Sequence, residues 1–277
     1  MQIIKTIKEL KLQIKDWKQN RNNIGFVPTM GALHEGHESL IKRSVAENNK
    51  TIVSIFVNPM QFAPTEDLDK YPRNSADDTE LCEQAGVDII FAPENKEMYA
   101  GDFSTFVDMS GLTSELCGKS RPTHFRGVCT VVNKLFNIVT PDRAYFGQKD
   151  AQQLAVIKRM VRDLNMNVEI VGCPIVREPD GLAKSSRNVY LSPEERKAAL
   201  VLSRAIFTGE KLLGAGERNS ETIKTAMREI IESEPLARID YIEIVDGNSI
   251  EKIDAIKNGN SILTAIAVFI GKTRLID

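Results

Sequence analysis

The sequence predicts an α/β protein: a Rossmann-like, parallel-sheet N-terminal domain over residues 1–173, followed by a smaller α+β lid domain over residues 174–277. Three observations predict it. The apolar run Ile24-Gly25-Phe26-Val27 is followed by an amphipathic run with Leu40, Ile41 and Val45 at helical spacing, and then by the β-branched run Thr51-Ile52-Val53-Ser54-Ile55-Phe56-Val57. Strand, helix, strand at this length is a βαβ unit with a right-handed crossover, and the near-continuous apolar third piece suits a strand buried on both faces. Further strand-like runs recur at 87–91, 143–146 and 168–172, each fed by a helical stretch, and near Cys173-Pro174 the texture changes to two helices followed by two strand-like runs.

The elements follow in order. Residues 5–18 carry Ile7, Leu10, Ile14 and Trp17 at helical spacing, and Asn20-Arg21-Asn22-Asn23 makes the turn into the first strand. A helix is expected over 75–84, stopped by Gly86 before the strand at 87–91. Val128, Val131, Val132, Leu135, Phe136 and Val139 mark an amphipathic helix, and another runs from about 151 to 164. Ser192-Pro193-Glu194-Glu195 matches a helix start, with proline at the first helical position and Glu195 placed for a capping box. Helices over 193–213 and about 220–233, then strands over 239–245 and 262–270, complete the second domain.

Composition sets the class. Of 277 residues, 42% are hydrophobic and 27% charged, as in globular proteins, and a formal net charge of −2 argues against a broad basic surface for nucleic acid. No apolar run approaches the roughly 20 residues that span a bilayer, and the first residues lack a signal-peptide core, so a cytoplasmic location without membrane partners is the expectation. Cys82, Cys117, Cys129 and Cys173 lie far apart with no CxxC spacing, and read as buried small hydrophobes rather than zinc ligands or disulfides.

Four islands of polar residues interrupt the pattern. In Pro28-Thr29-Met30-Gly31-Ala32-Leu33-His34-Glu35-Gly36-His37 a strand turns into a helix, a junction where free backbone N–H groups and the helix dipole favour phosphate. His34 and His37, two of the three histidines, share roughly one helix face. Asn58-Pro59-Met60-Gln61-Phe62 ends the next strand, and Asn58 and Gln61 offer neutral donors and acceptors suited to a hydroxyl or carboxylate. Gly147-Gln148-Lys149-Asp150 is a second strand-to-helix junction, with Lys149 a flexible cation suited to polyphosphate and Gln153 one turn further on the same face. Lys184-Ser185-Ser186-Arg187 gathers two cations and two hydroxyls into an oxyanion clamp. Each island also has a plainer reading: solvated histidines at a helix start, surface loop amides, a helix N-cap at Asp150 with a surface lysine, a polar hinge. Asp67, Asp69, Asp77 and Asp78 read as a solvated acidic face, with help in holding a Mg²⁺–nucleotide complex as the alternative. Gly118-Lys119-Ser120 is not a P-loop: six residues separate Gly111 from Gly118, where the motif needs four, and no strand leads in. No acidic or cysteine partner stands beside the histidines at ligand spacing, so no protein metal site is expected.

Taken jointly, the islands closely resemble the pantoate–β-alanine ligase (pantothenate synthetase) family. The resemblance runs through residues 28–37, Phe56-Val57-Asn58-Pro59-Met60-Gln61-Phe62, Tyr71-Pro72-Arg73, Ser120-Arg121-Pro122, His124-Phe125, Phe146-Gly147-Gln148-Lys149-Asp150 and Ser185-Ser186-Arg187-Asn188, and covers essentially the whole chain. The first motif also resembles, more loosely, the HIGH signature of the nucleotidylyltransferase superfamily. The resemblance implies a ligase of pantothenate and coenzyme A biosynthesis. Its substrates are pantoate, β-alanine and ATP with Mg²⁺, its intermediate is a pantoyl-adenylate, its products are pantothenate, AMP and pyrophosphate, and the enzyme is a homodimer. By the same resemblance His37, His34 and Lys149 are the catalytic residues. Pro28, Thr29, Met30, Gly31, His34, His37, Gly147, Gln148, Lys149, Asp150, Val176, Lys184, Ser185, Ser186 and Arg187 bind ATP, and Met30, Asn58, Gln61 and Gln153 bind pantoate or β-alanine. Lys184 departs from the family pattern, which often has methionine there.

Two other readings share some of these features. An enzyme transferring adenylate to a phosphorylated acceptor would share the histidine turn but need extra cations for the acceptor phosphate. A non-catalytic nucleotide-binding module would have no use for both histidines, Lys149 and the Ser185-Ser186-Arg187 clamp together.

Overall fold

The structure is a computed structural model and describes residues 1–64, 66–257, 259 and 261–277. Contacts divide the chain into two compact units: residues 1–110, 121–148 and 156–174 form the first, and residues 111–120, 149–155 and 175–277 the second.

The first unit is built on a six-stranded, wholly parallel sheet. Its strands are β1 (Gln2–Ile4), β2 (Ile24–Thr29), β3 (Lys50–Ile55), β4 (Ile89–Phe91), β5 (Arg143–Gly147) and β6 (Glu169–Cys173), in the order β1-β4-β3-β2-β5-β6. The Rossmann-like expectation is met. Three helices precede or separate the first strands: α1 (Ile7–Gln19), α2 (Glu35–Glu47) and α3 (Ser75–Gln84). The strand alternation sends Val27 and Tyr145 to one face, where they pack with Leu40 and Ile41 of α2 and Cys82 of α3. Phe26 and Phe146 point to the other, where both meet the edge of Phe136. The short helices α4 (Asn95–Met98) and α5 (Leu116–Ser120) precede α6 (His124–Val139), which carries Phe136, and α7 (Ala151–Asp163) links β5 to β6.

The order places β2 between β3 and β5, so the chain leaves β2 on one side and later returns on the other. Ligands of open α/β sheets bind outside the carboxyl ends of strands at such a reversal. The histidine turn follows β2 and Gly147 ends β5, so the fold delivers both junctions to that crevice.

The second unit packs α8 (Pro193–Ala198), α9 (Leu200–Gly214) and α10 (Ser220–Glu232) on an antiparallel sheet of β7 (Ala237–Asp246), β8 (Ile262–Ile270) and β9 (Thr273–Ile276). The single helix expected over 193–213 is two: the chain breaks at Ala199, whose carbonyl accepts a short-range bond from the Leu202 amide. No helix among the described residues is long and apolar enough to cross a membrane.

Candidate active site

The turn after β2 is held by side chains at almost every amide. Thr29 Oγ1 donates to the Ser54 carbonyl at 2.7 Å and accepts from the Gly31 amide at 3.2 Å. Gly31 and Ala32 are both left-handed, with φ of 82° and 50°. Asp78, 2% exposed, accepts from the Ala32 amide at 3.0 Å and the Leu33 amide at 2.7 Å. His34 is the N-cap of α2, its Nδ1 accepting from the Gly36 amide at 3.1 Å, while His37 Nδ1 reaches back to the His34 amide at 3.3 Å. The pair forms a reciprocal capping box with ring centroids 4.1 Å apart.

This corrects one expectation. The amides of Gly31, Ala32, Leu33, His34 and Gly36 do not wait for phosphate; protein groups already hold them. The rings carry N–H groups of their own. A backbone N–H pointing at each Nδ1 makes that nitrogen an acceptor, so the neutral rings carry their protons on Nε2. Asp78 likewise departs from the acidic-face reading. It is a buried strut, and burial pushes its carboxyl up from the usual range against the two amide bonds, with Asp77 adding to the rise.

The second island is also reassigned in part. Asn58, 1% exposed, uses its whole hydrogen-bonding capacity within the protein. Oδ1 accepts from the Met60 amide at 3.3 Å and from the Tyr99 hydroxyl at 2.8 Å; Nδ2 donates to Gln61 Oε1 at 3.1 Å and to the Gly127 carbonyl at 3.2 Å. A Cβ on Gly127 would overlap the Met60 and Gln61 backbone, so glycine lets α6 lie against this loop. Asn58 therefore orients Gln61 rather than offering its own amide to a ligand. Gln61 Nε2 lies 2.9 Å from Met30 Sδ, a weak acceptor that a substrate oxygen can replace. This bond joins the first and second islands. The Gln61 carbonyl accepts from Arg121 Nη2 at 3.4 Å and lies 2.9 Å from His124 Nδ1, and Arg121 also forks onto Glu66.

After β5, residues Gln148–Asp150 form a single 3-10 turn leading into α7. A Cβ on Gly147 would meet open space. Lys149 is half-buried, and among the described residues neither it nor Gln153 has a side-chain hydrogen bond or ion pair. Beside Gln153, the buried Gln152 donates to the carbonyls of Leu112 and Glu115 and accepts from the Cys117 amide, tying residues 111–117 to the first turn of α7.

The fourth island sits on a small hairpin of the second unit. The Lys184 amide donates to the Val176 carbonyl at 3.0 Å and the Glu178 amide to the Leu182 carbonyl at 2.8 Å. Lys184 Nζ is ion-paired with Glu178 at 2.8 Å, so its charge is already answered within the hairpin. Arg177 forks onto Asp277 at 2.7 and 2.8 Å. Ser185 caps the 3-10 turn Ser186–Tyr190 by accepting from the Arg187 amide at 3.3 Å. Tyr99, Gln152 and Glu178 are residues that motif reasoning passed over, because none belongs to a motif, and Asp78 reads in the sequence only as part of an acidic face.

Three of the four cysteines, Cys82, Cys129 and Cys173, are buried, and burial pushes the Cys82 and Cys129 thiols up to about 12. Among the described residues no group of three or more His, Cys, Asp or Glu side chains could hold a metal ion.

The family model for pantoate-beta-alanine ligase matches residues 2–277. The chain belongs to the pantoate–β-alanine ligase family. It is 60% identical over 277 residues to the pantothenate synthetase of Ruminiclostridium cellulolyticum, covering 100% of this chain and 98% of the relative. The crystal structure of pantothenate synthetase from Thermus thermophilus superposes with a TM-score of 0.95 at 46% identity, covering 100% of this chain and 98% of that one. The pantoate–β-alanine ligase of Francisella tularensis, complexed with beta-gamma ATP and β-alanine, gives a TM-score of 0.81 at 35% identity, covering 100% and 96%. As a member of this ligase family the protein forms pantothenate.

Proposed function

We propose that this ligase works through ATP in two steps. A pantoate carboxylate oxygen attacks the α-phosphorus, the bond to the leaving pyrophosphate breaks, and pantoyl-adenylate forms. The β-alanine amino nitrogen then attacks the acyl carbon, and AMP leaves as pantothenate forms. Neither step needs a protein nucleophile; catalysis is positioning plus neutralisation of charge building on phosphate oxygens.

The observation that carries this reading is the histidine capping box. It turns two Nδ1 atoms toward backbone amides, so that the neutral rings carry their N–H groups at Nε2, both at one helix start. In this proposal His37 donates at the reacting phosphate and His34 along the triphosphate. Pro28, Thr29, Met30 and Gly31 border ATP and pantoate, with Gln61 exchanging its Met30 contact for a pantoate oxygen and Gln153 taking another. Lys149, whose side chain has no partner among the described residues, answers phosphate charge. Gly147, Gln148 and Asp150 line the nucleotide, Val176 meets adenine, and Ser185, Ser186 and Arg187 meet the phosphates, while Lys184 stays paired with Glu178. Mg²⁺ would come bound to ATP and would help to neutralise phosphate charge, and the family resemblance supports a homodimer working in the cytoplasm.

Isotope exchange between pyrophosphate and ATP tests the mechanism. The expected result is exchange that requires pantoate but not β-alanine. Exchange without pantoate, or ADP as a product, would overturn it.

A further inference from the structure

We propose that Asp78 is a positioning residue for the adenylation step: by accepting from the Ala32 and Leu33 amides, its buried carboxylate holds the left-handed turn that fixes both histidine rings. The inference rests on the roles given to His34 and His37 above. An alanine is sterically disfavoured in the left-handed region, yet Ala32 is held there at φ 50° directly after Gly31 at φ 82°. Successive amides in such a turn form a concavity that binds anions. Here the anion comes from the protein, at 3.0 and 2.7 Å from a carboxylate that is 2% exposed.

The consequence passes straight down the chain. Three consecutive amides, of Ala32, Leu33 and His34, are held in turn by Asp78, Asp78 and His37. If the turn relaxes, His34 leaves the N-cap position, and His37 loses the amide that fixes its ring. Gly31 belongs to the same device: a Cβ there would lie 2.9 Å from Asp78 Oδ2. Asp78 itself touches no substrate in this scheme.

Asp78→Asn is the direct test, since the amide can accept from one of the two N–H groups but turns its own NH₂ toward the other. Pantoate-dependent pyrophosphate–ATP exchange should fall by about 10²-fold, the cost of a misplaced catalytic group. The ¹⁵N signals of the His34 and His37 rings should shift from the Nδ1-acceptor pattern to a mixed one. Adding Ala32→Gly to Asp78→Asn should restore several-fold of the exchange, because glycine adopts the left-handed turn unaided; a merely structural role in α3 predicts no rescue. Gly31→Ala, which keeps Asp78 in the sequence but crowds its Oδ2, should reproduce both losses. Unchanged histidine signals in Asp78→Asn, failure of Ala32→Gly to rescue, or a Gly31→Ala enzyme with wild-type exchange would each overturn the positioning claim. A wild-type enzyme without pantoate-dependent exchange would instead remove the functional reading, while the ring signals would still decide whether Asp78 fixes the histidines.

Discussion

Helices α2 and α8 begin with the same pair of reciprocal hydrogen bonds, made from different side chains. In α8 the Glu195 amide donates to Ser192 Oγ at 3.2 Å, and the Ser192 amide donates to Glu195 Oε2 at 2.8 Å. In α2 the same places are taken by His34 and His37. A serine oxygen or a glutamate carboxylate has nothing of an N–H donor to spare once it has capped the helix. An imidazole has such a donor: capping uses one ring nitrogen as an acceptor and fixes the tautomer, and the other nitrogen bears the proton. One backbone requirement is thus met in two ways, and in the proposed mechanism only one of them also supplies a catalytic group.

The largest expected effects come from breaking the two boxes in parallel. His37→Ala should lower pyrophosphate–ATP exchange by about 10²-fold or more, the range of a lost proton donor, and should also cost on the order of 1 kcal/mol in stability. Ser192→Ala should cost a similar ~1 kcal/mol with no change in exchange. Exchange rates and thermal melting on the two variants separate the claims. A His37→Ala enzyme that loses stability and keeps its exchange rate would reduce the α2 box to the status of the α8 box.

This contrast also marks what could be read from the amino acids. The Ser192-Pro193-Glu194-Glu195 start is legible because every partner lies within one turn, and the period of apolar residues gave α1, α2, α6 and the central strands for the same local reason. β1 and β9 were missed: they span only Gln2–Ile4 and Thr273–Ile276, too short for a period, and their state is set by the neighbouring strands they pair with. The histidine motif pointed to a phosphate-facing turn, yet its amides proved occupied, because the occupant, Asp78, comes from a helix whose polar pattern looks solvated. Asn58 looked like a free loop amide because nothing in its own loop shows that Tyr99 and Gly127 enclose it.

A second test carries the distinction between committed and uncommitted groups to the lysines of the second unit. Lys149 has no partner among the described residues, whereas Lys184 is paired with Glu178 at 2.8 Å. Lys149→Met should therefore lower kcat/KM for ATP by about 10²-fold, the scale of one lost electrostatic donor to a transition state. Lys184→Met, at a position where the family often has methionine, removes an ion pair worth at most about 1 kcal/mol and should change the same constant only by about fivefold or less. Steady-state kinetics with ATP varied measures both. Equal losses would mean that Lys184 leaves Glu178 for the nucleotide, and that the hairpin pair is a resting contact rather than a fixed one.

The smallest effect lies in pH, and it again separates α2 from α8, because only the α2 turn hangs on a buried carboxyl. Burial raises the Asp78 carboxyl above its usual value, outweighing the Leu33 and Ala32 amides, and the neighbouring Asp77 pushes the same way; the Cys82 thiol, one turn along α3 and itself pushed up to about 12, stays neutral. Between the ordinary aspartate value and the raised native one, the folded protein holds a proton that the unfolded chain has lost. Stability from this group is therefore complete below the ordinary value and declines as pH rises through the native one. Asp78→Asn cannot titrate, so the wild-type advantage over it should shrink as pH increases across the acid range toward neutrality. Paired melting curves read the slope directly, with every other titrating group common to both proteins. A wild-type advantage that grows with pH would mean that the two amide bonds hold the native carboxylate more strongly than burial opposes it, which reverses the sign of the shift and makes the turn an anion site strong enough to keep Asp78 ionised throughout.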